Sequence, residues 1–211
     1  MFRAILAAAA ALTLTAQITI ADTFKAGEHY EVLSTPVVTA NKSKIEVVEL
    51  FWYGCGHCYK FEPMLVAWKK QLPADVDAKG QPAMWNSAMQ LHARAFYTAK
   101  ALKVLDVMHP VLFNEMNVER KRLNSEASIK ELFVKNGVDG DAFSKTFNSF
   151  GVSSQIKLAD SRARSYGLQG TPEIVVNGKY RIATGLAGSQ AKMLEVAAFL
   201  IEKERQMMLA K

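Results

Sequence analysis

Cysteine is scarce in this sequence, because only two of the 211 residues carry a thiol. Two thiols are too few to staple a miniature disulfide-rich fold or to complete a four-thiolate zinc site. Concentrated charge of one sign is also absent: 26 basic and 20 acidic residues are spread along the chain with no run of five like charges. The net charge of +6 therefore indicates a solvated mixed surface, and we expect no nucleic-acid partner.

The composition excludes disordered, collagen-like and fibrous chains. Hydrophobic residues make up 50% of the sequence and charged residues 22%, which is typical of a globular protein. A length of 211 residues predicts one domain, or two that share a core.

Long apolar runs are missing beyond the N-terminus. Arg3 is followed by an uncharged apolar stretch at 4–14, which is well short of the roughly 20 residues that a membrane span needs. Thr19 and Ala21 supply the small residues of a cleavage site, so residues 1–21 are predicted to be a secretory signal peptide cleaved after Ala21. An uncleaved anchor is the alternative. Export would place the two thiols where a disulfide is permitted.

A buried strand followed by a helix is predicted in the first third of the chain. The segment Ile45–Tyr53 is rich in β-branched and aromatic residues and is apolar almost throughout, as in a strand buried on both faces. Helical periodicity then runs from Cys55 to about Leu72, with a kink expected at Pro63. Residues 76–83 are expected to form a short strand, although their pattern is poor.

Helical periodicity dominates residues 85–150. Ser125 or Ser128 can cap one of these helices, and Ser128 with Glu131 is a candidate capping box. A further helix is expected from Ser153 to Tyr166. Four apolar residues at the start of the block are interpreted as helical core rather than substrate surface: Met84, Trp85, Met89 and Phe96.

Strand patterns return near the C-terminus. Two short apolar runs, 173–176 and 179–182, flank Asn177-Gly178, which is a strong hairpin signal because both turn positions need a positive φ angle. An amphipathic helix follows from about Ser189 to Met207. The order of elements predicts an α/β fold with an inserted all-helical domain, divided into residues 22–84, 85–153 and 154–211.

The motif Cys55-Gly56-His57-Cys58 lies between the buried strand and its helix. A thiol at a helix N-terminus faces unpaired N–H groups and the positive end of the helix dipole, which lower its pKa. A cationic His57 would act in the same direction. We expect Cys55 to be the exposed nucleophile and Cys58 the buried resolving thiol, and a stabilised thiolate makes the disulfide a ready donor.

Other interpretations of the two cysteines remain open. They could form a static structural disulfide or half of a zinc site. The zinc interpretation lacks a second cysteine pair, and no ligand spacing relates His29, His92 and His109. We therefore predict no metal.

Two further features accompany the motif. Glu49 lies in the apolar strand, where burial would raise its pKa. It is either an edge residue that reaches water or a proton acceptor and charge modulator beneath Cys58. Thr171-Pro172 precedes the hairpin and is either a cis bond or an ordinary trans turn.

Several segments together resemble the thioredoxin superfamily, and within it the DsbA family of periplasmic thiol:disulfide oxidoreductases. The segments are IEVVELFWYGCGHCYKFEP, KTFNSFGVSSQ, GTPEIVVNGKYRI and FLIEKER. The resemblance covers essentially the whole chain after the signal peptide. It implies a thioredoxin fold interrupted by a helical domain.

The resemblance also implies a function and a set of roles. Cys55 would form a mixed disulfide with reduced, newly exported proteins, and Cys58 would resolve it. Pro172 matches the cis-proline beside the active disulfide, Thr171 would bind substrate through its backbone, and Glu49 matches a buried acidic residue. A quinone-linked membrane oxidase of the DsbB type would reoxidise the protein. The redox-active disulfide would be the only redox group, and we expect a monomer.

The sequence departs from the usual pattern of that family at two positions. The common dipeptide between the cysteines is Pro-His, whereas here it is Gly56-His57; the residue before the cis-proline is commonly valine, whereas here it is Thr171. Both positions tune redox potential, and both residues resemble those of protein disulfide isomerases. The alternatives are therefore a disulfide isomerase or reductase, a glutathione-linked transferase, or a non-catalytic chaperone.

Overall fold

The computed structural model describes residues 23–210. The predicted signal peptide and its cleavage site lie outside these residues. Within the described part of the chain there are five strands and eight helices, in the order β1 Glu31–Val32, β2 Ile45–Phe51, α1 Gly56–Lys69, β3 Val76–Pro82, α2 Ser87–Ala101, α3 Leu105–Asn117, α4 Glu126–Lys135, α5 Gly140–Phe147, α6 Phe150–Ser165, β4 Glu173–Val176, β5 Tyr180–Ala183, α7 Thr184–Ala187 and α8 Gln190–Leu209.

The strands form one mixed sheet in the order β1-β5-β4-β2-β3. Strand β2 pairs in parallel with β3 and antiparallel with β4, and β4 and β5 form an antiparallel hairpin. Strand β2 is therefore interior to the sheet, which explains why all seven of its residues are buried, as the continuous apolar pattern predicted.

Helices cover both faces of the sheet. Phe61 and Leu65 of α1, with the apolar side of α8, pack on the face that carries Val47 of β2. The end of α6 packs on the other face, against Val48 and Leu50. Side chains alternate across a strand, so neighbouring residues of β2 enter different layers.

Strand β3 forms despite its polar sequence. Its full-length parallel register with β2 supplies the ladder hydrogen bonds, and its outer side is an edge of the sheet. Its four central residues are only partly buried, so an edge position accommodates the polar side chains that made the prediction uncertain.

Helices α2 to α6 lie between β3 and β4 and share an apolar cluster with the end of β2. Two predictions within this block are wrong. Helix α4 is capped by Ser125, and its capping box uses the Ser128 hydroxyl rather than Ser128 with Glu131. Helix α6 begins at Phe150 with Ser149 as its N-cap, not at Ser153, because the Ser149 hydroxyl accepts from the Val152 N–H.

The core prediction at the start of the block is correct for three of its four residues. Met84, Met89 and Phe96 are buried, and Met84 and Phe96 lie in the cluster shared by the helices. Trp85 is 53% exposed and lies before α2 begins, so its assignment to the helical core is wrong.

The C-terminal elements follow the predicted pattern. Asn177 and Gly178 both have positive φ angles, 49° and 63°, at the turn of the β4–β5 hairpin, although β5 begins at Tyr180 rather than Lys179. A Cβ at Gly178 would lie 2.0 Å from the Val37 carbonyl oxygen, so only glycine fits there. Among the described residues, no helix has the length and apolar character to cross a membrane.

Candidate active site

The two cysteines lie at the junction of β2 and α1. The chain leaves the sheet at Phe51 and enters the helix at Gly56, with Cys55 as the N-cap in an extended conformation. Trp52 packs over the turn so closely that a Cβ on Gly54 would lie 2.4 Å from its ring. The Trp52 Nε1 donates to His92 Nδ1 at 3.0 Å, which fixes that ring.

The two sulfurs have different environments. Cys55 is partly exposed, whereas Cys58 is fully buried in the cluster of the helical block. Both are free thiols, 3.2 Å apart. The backbone N–H of Cys58 donates to the Cys55 Sγ at 3.4 Å, as a side-chain acceptor at an N-cap does. An attacking group can reach Cys55, but the Cys58 sulfur has no exposed surface.

The same geometry separates the pKa values of the two thiols. The hydrogen bond from the Cys58 side chain, with further hydrogen bonds from Thr171 and from the backbone of Cys58 and His57, lowers the pKa of Cys55 from 9.0 to about 5 against the effect of partial burial. Burial, followed by the hydrogen bond to Cys55 and its charge, raises the pKa of Cys58 above its ordinary value. At neutral pH the reduced pair is a thiolate at Cys55 and a thiol at Cys58.

Thr171 and Pro172 lie against the cysteine pair. The peptide bond between them is cis, as the first of the two alternatives predicted. The Thr171 carbonyl oxygen lies 3.4 Å from the Cys55 Sγ. The hairpin therefore places backbone polar groups directly beside the exposed sulfur.

Glu49 lies on the interior strand β2 and is 2% exposed, so the alternative of an edge residue that reaches water is wrong. Its Oε2 accepts from Lys69 Nζ at 3.3 Å, and its Oε1 has no partner among the described residues. Burial raises the pKa of Glu49, and the charge of Lys69 opposes that shift.

A second polar group joins the helical block to α1. His109 of α3 lies with Nε2 3.3 Å from the Glu62 carboxylate and Nδ1 2.8 Å from the Tyr53 hydroxyl. Burial acts to raise the pKa of Glu62, but the interactions with His109 and Lys69 outweigh it and hold that pKa below its ordinary value. Sequence reasoning missed Glu62 and His109, since only the packing of α3 on α1 brings them together.

Two side-chain amides hold the backbone around the cysteines, and sequence reasoning missed both. Asn117 at the end of α3 donates to the Tyr53 carbonyl at 2.8 Å. Gln190 at the start of α8 donates to the His57 carbonyl at 2.7 Å. The His57 side chain is exposed between these attachments, and Gly56 is partly exposed.

No cluster of three or more His, Cys, Asp and Glu side chains suited to a metal ion occurs within residues 23–210. The chemistry on offer is that of the sulfurs themselves. A strand–CxxC–helix unit with one activated and one buried thiol, beside a cis-proline, defines a dithiol oxidoreductase of thioredoxin type.

The comparisons with known proteins define the family. Residues 66–195 match the sequence profile of the DSBA-like thioredoxin domain. The thiol:disulfide interchange protein DsbA of Pseudomonas aeruginosa is 41% identical over 202 residues, which cover 96% of this chain and 94% of that protein. DsbA of Azotobacter vinelandii is 42% identical over 181 residues, covering 86% of this chain and 85% of that one. The chain belongs to the DsbA family of thiol:disulfide interchange proteins.

Solved structures agree with this assignment. The crystal structure of Pseudomonas aeruginosa DsbA superposes with a TM-score of 0.86 at 41% identity, covering 89% of this chain and 98% of that one. DsbA of Xylella fastidiosa gives a TM-score of 0.81 at 30% identity, covering 86% and 98%. The predicted fold class, a thioredoxin fold with an inserted helical domain, is confirmed.

Proposed function

We propose that this protein oxidises thiol pairs in reduced, newly exported proteins by donating a Cys55–Cys58 disulfide. The observation that carries the proposal is the opposed shift of the two thiols: the pKa of Cys55 falls to about 5, while that of Cys58 rises. A stabilised thiolate favours the reduced form of the protein, and a protein that favours its reduced form is an oxidant.

The reaction transfers two electrons from substrate to protein in two exchanges. A substrate thiolate attacks the Cys55 Sγ, which is the accessible sulfur of the pair. The bond between Cys55 and Cys58 breaks, a mixed disulfide forms, and Cys58 leaves to become a protonated thiol. A second substrate thiolate then attacks the substrate sulfur of the mixed disulfide, and Cys55 leaves as a thiolate. The substrate gains one disulfide, and the protein ends as a dithiol.

The buried position of Cys58 gives it the resolving role. Its sulfur contacts Cys55 but has no exposed surface, so it reaches the mixed disulfide only from inside the protein. When substrate oxidation is not completed, attack by Cys58 on Cys55 restores the enzyme disulfide and releases the substrate thiol. This return step prevents the protein from remaining trapped on its substrate.

Four neighbouring positions are assigned to substrate binding and redox tuning. Thr171 and Pro172 lie beside the exposed sulfur, where their backbone can pair with an extended substrate chain. Such contacts use groups that every substrate shares, so selectivity for substrate side chains is weak. Gly56 and His57 tune the potential of the pair.

Glu49 is proposed as the proton acceptor and charge modulator for Cys58. A buried carboxylate with a raised pKa and an unpartnered oxygen can hold or release a proton near neutral pH. The tie to Lys69 keeps that oxygen pair fixed.

The proposal also includes a place of action and partners. We place the protein in the periplasm, exported by the signal peptide of residues 1–21, and acting as a monomer divided at residues 84 and 153. A quinone-linked membrane oxidase of the DsbB type reoxidises the dithiol. The redox group is the disulfide itself, with no further cofactor.

The test is stoichiometric oxidation of a reduced, denatured ribonuclease by the oxidised protein, followed through the loss of ribonuclease thiols. We expect one disulfide formed per protein disulfide consumed, and no oxidation by Cys55→Ser. Oxidation that survives in Cys55→Ser would overturn the mechanism. Faster reactivation of a scrambled ribonuclease by the reduced protein than oxidation by the oxidised one would favour the isomerase alternative.

A further inference from the structure

Gln190 connects the C-terminal helix to the active-site turn. It is the first residue of α8, whose N-cap is Ser189, and its side chain is only partly buried. Its Nε2 donates to the His57 carbonyl oxygen at 2.7 Å, across 133 residues of sequence. None of the roles assigned above uses this contact.

The His57 carbonyl belongs to the same peptide unit as the Cys58 N–H. That N–H donates to the Cys55 Sγ at 3.4 Å. Two hydrogen bonds therefore run in series, from the Gln190 amide to the His57 carbonyl and from the Cys58 N–H to the sulfur. Hydrogen bonds in series polarise one another, so a donor on the carbonyl makes the N–H of that peptide a stronger donor.

We propose that Gln190 is a positioning residue that strengthens the backbone hydrogen bond to the Cys55 thiolate by binding the opposite side of the His57–Cys58 peptide. The effect exists only when Cys55 carries charge. Gln190 therefore stabilises the reduced protein over the oxidised one, and its amide makes the disulfide more oxidising. The inference deepens the proposed function and rests on it.

A purely structural tether would behave differently. If Gln190 only fastens α8 to α1, its removal destabilises the oxidised and the reduced protein equally. If it acts on the thiolate, its removal costs the reduced protein more. The difference between the two costs equals the change in the redox equilibrium, because the four states form a closed thermodynamic cycle.

The experiment compares Gln190→Met with Gln206→Met in the full mature chain. Methionine keeps the length of the side chain and removes the donor, and Gln206 is an exposed residue of the same helix. Cooperative strengthening of 10–30% per bond predicts an equilibrium constant against glutathione that changes by about two- to fivefold toward the disulfide. The pKa of Cys55 should rise in parallel, and Gln206→Met should match the wild type.

A second variant separates stability from redox chemistry. Gln190→Glu places an acidic side chain in the first turn of α8, where it favours the helix. The same change replaces a donor by an acceptor beside the His57 carbonyl, so it should raise the pKa of Cys55 while the oxidised protein keeps its stability.

The inference is overturned if Gln190→Met leaves the glutathione equilibrium at the wild-type value, or if it lowers the stability of both redox forms equally. A wild-type protein that is no stronger an oxidant than thioredoxin would instead contradict the proposed function. The difference between variant and wild type would still decide the role of Gln190.

Discussion

The backbone N–H of Cys58 donates to the sulfur of Cys55 at 3.4 Å, so the resolving cysteine also stabilises the attacking one. The side chain of Cys58 acts in the same direction and is the largest cause of the lowered pKa of Cys55. The cost falls on Cys58, whose own pKa rises. One helix N-terminus thus produces a good leaving group and a poor one three residues apart.

Replacing Cys58 tests this coupling. Cys58→Ala removes the side-chain hydrogen bond and should raise the pKa of Cys55 above its value of about 5. Cys58→Ser keeps a donor at the same place and should raise it less, since the hydroxyl can still donate to the thiolate. The ultraviolet absorbance of the thiolate, titrated in both variants, measures the difference. Equal pKa values in the two variants would contradict the assigned cause.

The stability of the reduced protein should depend on pH in a defined window. The folded pKa of Cys55 is depressed from 9.0 to about 5, so the thiolate contributes its full stability above pH 9.0 and loses it as the pH falls toward 5. The oxidised protein has no free thiol and serves as the control. The free energy of unfolding of the reduced form, relative to the oxidised form, should rise from pH 5 to pH 9.

Denaturant unfolding of both forms across this window measures the difference. A constant difference between the two redox forms from pH 5 to pH 9 would mean that Cys55 is not a thiolate in the folded protein.

Glu49 and Glu46 are a matched pair of buried carboxylates on β2 with opposite expected effects. Burial raises the pKa of Glu49, so its ionised form opposes folding above the ordinary value of 4.5. Glu49→Gln should therefore stabilise the fold by about 1 kcal/mol at neutral pH. The gain should vanish below pH 4.5, where the carboxyl group is protonated in both states.

Glu46 has ion pairs with both Lys79 and Arg162. Glu46→Gln should destabilise the fold by about 1–3 kcal/mol, because two cations lose their charged partner. Urea unfolding of both variants at the two pH values is the measurement. A loss of stability at neutral pH in Glu49→Gln equal to that in Glu46→Gln would contradict the assignment of Glu49.

Gly54 is required by the indole of Trp52. A Cβ at this position would lie 2.4 Å from the ring, and the hydrogen bond to His92 keeps the ring in place. Gly54→Ala should cost about 1–3 kcal/mol of stability, as overpacking does. Gly185→Ala is the control, since a Cβ added there would meet no atom within 4 Å. Thermal unfolding of both variants distinguishes them, and equal unfolding midpoints would show that the turn yields easily.

Sequence reasoning located the cysteine pair, the cis-proline and the hairpin because each has a local signature. A CxxC motif after an apolar strand, a proline before a second strand and an Asn-Gly turn are recognised from a few neighbouring residues. Strand β2 was equally clear, since burial on both faces leaves a continuous apolar run.

The contacts around the site could not be predicted in this way. Asn117 and Gln190 reach the active-site turn from α3 and α8, and their partners follow from packing across the whole chain. Trp85 is exposed because the chain has not yet entered α2 at that point, and helical periodicity does not fix a boundary to one residue. The helix starts at Ser125 and Ser149 depended on which of several serines donates or accepts at the terminus.

The equilibrium of the Cys55–Cys58 pair with reduced and oxidised glutathione tests the central claim most directly. The thiolate at Cys55 stabilises the reduced protein, so the pair should be reduced by glutathione far more readily than thioredoxin is. A disulfide as resistant to glutathione as that of thioredoxin would contradict the account, and would show that Gly56 and Thr171 belong to a reductase or an isomerase.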